Sequence, residues 1–416
     1  MWVHGVVDFT PSNHVYRKIS TYKTKIIDGG RYDIVFDAQC LQSATRERGI
    51  GVYSLNFISS LCRLNPNDSF AAILTTVASD SDITKATDLL KALGCDNLDI
   101  LLLDPFLGSS KISFHKAMEN LGKQLERLEC RAIIVLSPFE KHKSVANFPF
   151  SSKYKHIGIL YDLIRLIHSR DLLISRNQKT SFMWSLKNLS EYDLLFPISK
   201  ETEKIWNRET ISKSHLKVIY GGGYVEPQKI IKSFNNRFGI LCVSAEQPHK
   251  NLSRLIESYC LLPANVQLEH TLTITGIRSS GARKKFAKLG ERASGKIVFT
   301  DYLDLVKIKE KYRESRLLVM PSLIEGLSLP ILEAWSNGLV AVGSRGTVAE
   351  ELLRNNALLF DPVDTIAISN CIERFLTSEE HWNKAFDVSM LSAKRFTWEA
   401  TATLALNEIE RLLNDN

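Results

Sequence analysis

The chain has 416 residues, 44% of them hydrophobic and 24% charged, which is ordinary for a soluble globular protein and leaves room for two domains of roughly 100–200 residues. Its formal charge of +7 suits contact with anionic ligands, but most lysines and arginines alternate with acids along helical stretches, and no basic-plus-aromatic cluster speaks for nucleic acid. Seven widely spaced cysteines without a Cys-x-x-Cys pair exclude a zinc framework or a disulfide scaffold, and no apolar run reaches the ~18–20 residues of a spanning helix.

Residues 1–31 are polar and irregular and read as an N-terminal arm. The first predicted strand is Tyr32–Phe36. A polar loop from Asp37 to Ile50 follows, then Gly49-Ile50-Gly51 and an amphipathic helix near Tyr53–Leu64. Strand, glycine-bearing loop and helix open a nucleotide-type α/β unit. The alternation continues with strands at Ala71–Thr76, Leu98–Leu103, Ala132–Ser137, Lys155–Tyr161 and Asp193–Ile198 and helices between them. Such alternation implies a parallel sheet covered on both faces. Asp80-Ser81-Asp82 resembles a metal-binding Asp-x-Asp, but Ser and Asp are favoured at helix starts, and a helix start is the expectation.

Gly221-Gly222-Gly223 is the strongest break in mid-chain and predicts an inter-domain linker running to Arg237. The pattern then restarts, with strands predicted at Phe238–Val243, His270–Thr275, Lys296–Phe299, Leu317–Met320 and Leu339–Gly343. The expected layout is an arm (1–31), one domain over 32–225, a second over 235–393, and a C-terminal helix over 394–416 that packs back on the first domain. Two such units facing each other would leave a cleft at the carboxyl ends of both sheets, where open α/β sheets bind ligands.

Chemistry concentrates in one segment. An apolar strand ends at Pro321, a loop carries Glu325 beside Gly326, and Pro330 sits where a helix would begin. Glu333 then lies one turn in, among Ile331, Leu332, Ala334 and Trp335, and Gly338 ends the helix. A carboxylate among apolar neighbours is costly unless partnered. A carboxylate in a loop at a strand's carboxyl end commonly faces a ligand. Both can accept hydrogen bonds from sugar hydroxyls. Alone, each glutamate reads first as a helix or turn residue; their shared frame points to a site.

That frame resembles the Glu-x7-Glu signature of the retaining glycosyltransferases of family 4, which have the GT-B fold. It matches at Pro321, Ser322, Glu325, Gly326, Leu329, Pro330, Glu333, Ala334 and Gly338. The resemblance implies an α/β protein of two Rossmann-like domains whose parallel sheets face a central cleft. It implies that Glu325 and the amides of Gly326, Leu327 and Ser328 hold the donor sugar, and that Glu333 binds the ribose. The turn Arg345-Gly346-Thr347-Val348 is similar to the family's diphosphate loop, and free N–H groups at a helix start suit an anion. Leu327-Ser328 stands where the family has Phe-Gly, so a side chain replaces a glycine beside the expected sugar.

Three further segments extend the likeness to roughly residues 32–410. Val243 through Asn251 is similar to the family's strand-loop segment ending in Pro-Arg-Lys-Asn. This implies that Lys250 contacts the leaving diphosphate, with His249 in place of Arg, and with Ala245 where many members carry another Arg. Asp37–Gln42 and Arg48–Tyr53 resemble the glycine loop of bacterial mannosyl- and rhamnosyltransferases of surface polysaccharides, with Gly49 and Gly51 near donor or acceptor. Taken alone, that glycine pair reads first as a tight turn. Leu160-Tyr161-Asp162-Leu163-Ile164 resembles the family's His-Asp-Leu-Ile-Pro, with Tyr161 in place of His and Arg165 in place of Pro, which leaves Asp162 either facing the acceptor or capping the strand.

The resemblance thus implies a hexosyl transfer from a nucleotide sugar to a glycan or lipid-linked hydroxyl, with GDP-mannose favoured and UDP- and dTDP-sugars open. The family needs no metal and no bound cofactor. The start Met1-Trp2-Val3-His4-Gly5 lacks the features of a signal peptide. The expectation is a cytoplasmic enzyme, with peripheral contact at the inner membrane face left open. The alternatives are another GT-B enzyme, such as a sugar-nucleotide epimerase, and a catalytically silent GT-B module that binds a glycan or a partner.

Overall fold

The computed structural model describes residues 25–26, 30–104, 114–139, 153–164, 176–223, 230 and 232–414. Two compact units emerge. The first comprises residues up to Ile198, Thr202–Ile219 and Thr401–Asn416; the second comprises Ser199–Glu201 and Tyr220–Ala400.

In the first unit eight parallel strands lie in the order β1-β4-β3-β2-β5-β6-β7-β8. They are β1 (Lys25–Ile26), β2 (Gly30–Asp37), β3 (Phe70–Thr75), β4 (Leu98–Leu103), β5 (Leu128–Val135), β6 (Lys155–Leu160), β7 (Leu194–Pro197) and β8 (His215–Leu216). β3 is buried at every position, as expected where helices cover both faces of a sheet. Val35, Ile73, Leu103 and Ile133 meet in one core cluster. Most of the expected arm, residues 1–24, lies outside the described residues, but Lys25–Ile26 pairs with Leu101–Leu102 as an edge strand. The Asp80–Lys91 helix starts where the Asp-Ser-Asp run suggested. Ser79 caps it by accepting from Asp82 N, and Arg46 pairs with Asp82 at 2.9 Å.

In the second unit six parallel strands lie in the order β11-β10-β9-β12-β13-β14. They are β9 (Ile240–Val243), β10 (Leu272–Thr275), β11 (Ile297–Phe299), β12 (Leu317–Met320), β13 (Val340–Ser344) and β14 (Leu359–Phe360). Counted within the unit this is the order 3-2-1-4-5-6 of a doubly wound Rossmann sheet. β9 is flanked by β10 and β12, so the winding reverses between β9 and β12, where Ile240 pairs with Leu317. The unit also holds a short helix, Ala264–Glu269, and the two-residue strand β14. Both are too short to carry a hydrophobic period.

The glycine run is a correction to the sequence reading. Gly221, Gly222 and Gly223 are buried within the second unit rather than exposed as a linker. A Cβ on Gly222 would lie 2.2 Å from Trp398 N, and one on Gly223 would lie 1.7 Å from Ser336 Oγ. Glycine is required there because another backbone passes too close for a side chain. The chain enters the second unit one residue earlier, at Tyr220.

The last helix spans Trp398–Asn414, and from Thr401 onward it groups with the first unit. Glu408, buried on that helix, accepts from His215 Nε2 at 2.8 Å and lies 3.3 Å from Lys217 Nζ. Burial opposes its ionisation, but the hydrogen bonds from His215 and Lys217 outweigh it and lower the carboxyl pKa.

Candidate functional site

The winding reversal of the second unit sets the site. β9 and β12 are neighbours in the sheet, and the loops leaving their carboxyl ends lie at the winding reversal, the place where open α/β sheets bind ligands. After β9 the chain forms a single 3-10 turn, Pro248–Lys250, and then the helix Leu252–Cys260. Asn251 joins the two in the left-handed conformation, φ 58°, which asparagine tolerates better than most residues. Its side-chain amide donates to Pro321 O at 3.0 Å and to Pro362 O at 2.7 Å. Leu323 N donates to His249 O at 2.7 Å. Backbone and amide bonds therefore lock the Pro-His-Lys-Asn segment to the loop after β12.

That lock brings Lys250 and Glu325 together, 75 residues apart in sequence. Lys250 Nζ lies 3.2 Å from Glu325 Oε1, with side chains only 22% and 7% exposed. Ser322 Oγ donates to the same carboxylate oxygen at 2.5 Å. Glu325 is thus oriented by two donors, as a buried carboxylate requires. Lys250 uses one of its three donors here, leaving two for another anion.

Glu333 sits in the helix Leu329–Ser336, flanked in sequence by buried Leu332 and Ala334. Tyr312, from the helix Leu305–Glu314, donates its hydroxyl to Glu333 Oε2 at 2.6 Å. Burial pushes the Glu333 carboxyl above its ordinary range, and the tyrosine bond partly offsets that rise. Tyr312 is itself buried, and its phenol is raised well above its usual value by burial first and by the Glu333 charge second. Nothing in the sequence pointed to Tyr312, because its contact runs between two helices and shows no local signal.

Gly326 and Leu327 are partly exposed on the loop between the two glutamates, and Ser328 is buried at the start of the second helix. Gly346 and Thr347 follow β13, the neighbour of β12 on the same edge of the sheet. Their loop is more self-satisfied than the sequence suggested. Gly346 N donates to Glu350 Oε2 at 2.7 Å, and Ala349 N donates to Thr347 Oγ1 at 3.2 Å. The helix that begins there, Val348–Leu353, is only 6 residues long.

The other expected residues belong to the first unit. Gly49 opens the helix Gly49–Leu64. Gly51 packs so tightly that a Cβ would come 2.3 Å from Arg46 O, a steric reason for glycine that is independent of any ligand. Asp162 follows β6 and accepts from Ile164 N at 3.2 Å. Tyr161 links these places. Its hydroxyl lies 3.0 Å from Ser54 Oγ and its ring meets Tyr53 edge-on. At the end of β2, Asp37 is buried and takes both Gln39 N and Gln39 Nε2. Gln42 extends the sheet by bonding Thr75 N and Thr75 O through its side chain. Among the described residues no group of three or more His, Cys, Asp or Glu could hold a metal ion, and no helix is long and apolar enough to cross a membrane.

Residues 226–386 match the family described as Glycosyl transferases group 1. This stretch is similar to a group 1 glycosyltransferase domain. Its span takes in Lys250, Glu325, Glu333 and the Gly346 turn. Over 303 residues the chain is 26% identical to the serotype-specific mannosyltransferase WbdA of Escherichia coli, covering 68% of this chain and 37% of that protein. Over 174 residues it is 31% identical to the O-antigen chain mannosyltransferase B of Escherichia coli, covering 41% of this chain and 45% of that one. The chain thus spans less than half the length of these relatives. Among solved structures, Anabaena Alr3699/HepE in complex with UDP and glucose has a TM-score of 0.68 at 15% identity, covering 91% of this chain and all of that one. Sucrose-phosphate synthase from Thermosynechococcus elongatus has a TM-score of 0.65 at 16% identity over 92% of this chain and 99% of that one. These likenesses establish the fold around the glycosyltransferase domain, two Rossmann-like units of the GT-B class.

Proposed function

We propose that the chain transfers a hexose, mannose before others, from a nucleotide diphosphate sugar to a hydroxyl of a glycan or lipid-linked acceptor in polysaccharide synthesis, with retention at the anomeric carbon. The observation that carries this reading is the Lys250–Glu325 pair, buried at the winding reversal of the glycosyltransferase domain. Breaking a glycosyl–phosphate bond leaves negative charge on the diphosphate, and Lys250 is the fixed cation to stabilise it. Glu325, held by Ser322 and Lys250, is the acceptor that orients the hexose hydroxyls. Glu333 takes the ribose diol. The bond from C1 to the phosphate oxygen breaks as the bond from C1 to the acceptor oxygen forms on the same face, and the acceptor's proton passes to the departing phosphate. No separate base is required.

Mannose is favoured because the two Escherichia coli relatives are named as mannosyltransferases. In the first unit, the Gly49–Gly51 turn and Asp162 are the elements assigned to the acceptor. The test is a thermal-shift screen of the full chain against GDP-mannose, UDP-glucose, dTDP-rhamnose and the free nucleotides, followed by transfer assays with the sugar that binds. GDP-mannose should give the largest stabilisation, and Glu325→Ala should abolish transfer. Unchanged transfer by Glu325→Ala would remove the central claim.

A further inference from the structure

Among the described residues of the matched domain, two hydroxyls are buried without a partner, those of Ser244 and Ser328, and the second lies where the two glutamates are joined. Ser328 is 1% exposed, and among the described residues its Oγ makes no hydrogen bond. An unpaired buried hydroxyl is unfavourable and calls for a reason.

Local sequence explains why the protein itself cannot satisfy it. Ser328 is the N-cap of the helix Leu329–Ser336. A serine there normally accepts from the amide of the second or third helical residue. The second residue is Pro330, which has no N–H. The third is Ile331, whose N–H is already taken by the carbonyl oxygen of Ser328 at 3.0 Å. On either side, Leu327 and Leu329 are committed to packing: a Cβ on Gly221 would touch both, at 3.2 and 2.8 Å. Ser328 is left three residues from Glu325 and five from Glu333, with a hydroxyl that neither its helix nor its neighbours can use.

Resting on the reading of this domain as a sugar-nucleotide site, we infer that Ser328 determines sugar specificity by exchanging a hydrogen bond with a hydroxyl of the donor hexose. A neutral hydroxyl that both donates and accepts complements another hydroxyl better than it complements a diphosphate, which Lys250 already serves. A site built around such a bond discriminates strongly against a sugar that lacks the matching group.

The experiment compares the full chain with Ser328→Ala and Ser328→Gly. Without ligand, both variants should melt a few degrees higher or unchanged, because an unsatisfied buried hydroxyl has been removed. With GDP-mannose, UDP-glucose, GDP and UDP as probes, the affinity for the preferred sugar nucleotide should fall about tenfold or more, and that for its free nucleoside diphosphate should not change. The preference between the two sugar nucleotides should narrow accordingly. Equal losses for the free diphosphate would assign the hydroxyl to phosphate and overturn the inference. Unaltered sugar-nucleotide affinity in both variants would overturn it as well, with the function reading intact. A wild-type chain that binds no sugar nucleotide would sink the function reading and this inference together.

Discussion

The hydroxyl of Tyr312 donates to Glu333 Oε2 at 2.6 Å, from a helix that leaves the sheet before β12 to a helix that follows it. Tyr312 touches no expected ligand position of its own. It fixes the rotamer of a carboxylate that burial would otherwise push toward its neutral form.

Tyr312→Phe keeps the ring and removes the bond. It should raise KM for the donor about tenfold, the usual worth of a hydrogen bond to a charged group, with a smaller effect on kcat. The pH dependence follows from sign. Burial raises the Glu333 pKa, so the carboxylate proposed to accept the ribose diol is fully present only above that raised value, and donor affinity should weaken as pH falls through it. The Tyr312 bond lowers that pKa, so Tyr312→Phe should move the acid limb to higher pH. An acid limb that stays in place would show that Glu333 does not titrate in donor binding.

Lys250 and Glu325 separate stability from catalysis. Lys250→Met should lower kcat about 10²–10³-fold through loss of leaving-group stabilisation. It also strips a buried carboxylate of its cation, which costs about 3–5 kcal/mol for a fully buried pair and less here because Lys250 keeps some exposure. Adding Glu325→Gln should recover most of the melting temperature but none of the turnover. Recovery of turnover in the double variant would mean that the pair serves only the fold.

Gly222→Ala tests the corrected role of the glycine run. Its new Cβ would lie 2.2 Å from Trp398 N and 2.3 Å from Thr397 C. Backbone has to move, so a loss of about 1–3 kcal/mol or more is expected in chemical denaturation. A linker glycine would tolerate the change with almost no effect.

Chelation should leave transfer intact. On the proposed chemistry Lys250 supplies the positive charge that a divalent ion would otherwise bring. Turnover lost in EDTA and restored by magnesium or manganese would refute the metal-independent route.

Much of this molecule was legible in the linear chain. Apolar runs such as Leu317–Met320 and Val340–Ser344 are strands because a parallel sheet covered on both faces demands unbroken hydrophobicity. Pro321, Glu325, Pro330, Glu333 and Gly338 declare a strand end, a loop and a capped helix through local backbone chemistry alone, and the same frame carried the family resemblance. What the chain could not declare depends on approach between distant segments. Gly221–Gly223 read as a break between domains because glycine's conformational freedom is a local property, whereas the backbone of Thr397 and Trp398 pressing on Gly222 is not. Gly346 and Thr347 read as a loop of free amides, and only the folded loop shows Glu350 and Thr347 taking two of the donors. Tyr312, set by the crossing of two helices, had no sequence signal at all. The pairing of Lys250 with Glu325 was foreshadowed by type and position, but its 3.2 Å geometry comes from the adjacency of β9 and β12 and from Asn251 tying their loops together. Sequence determined which elements form and which chemical groups they carry. The tertiary structure decided which of those groups meet, because meeting depends on strand order and side-chain packing, and neither is a property of neighbours in the chain.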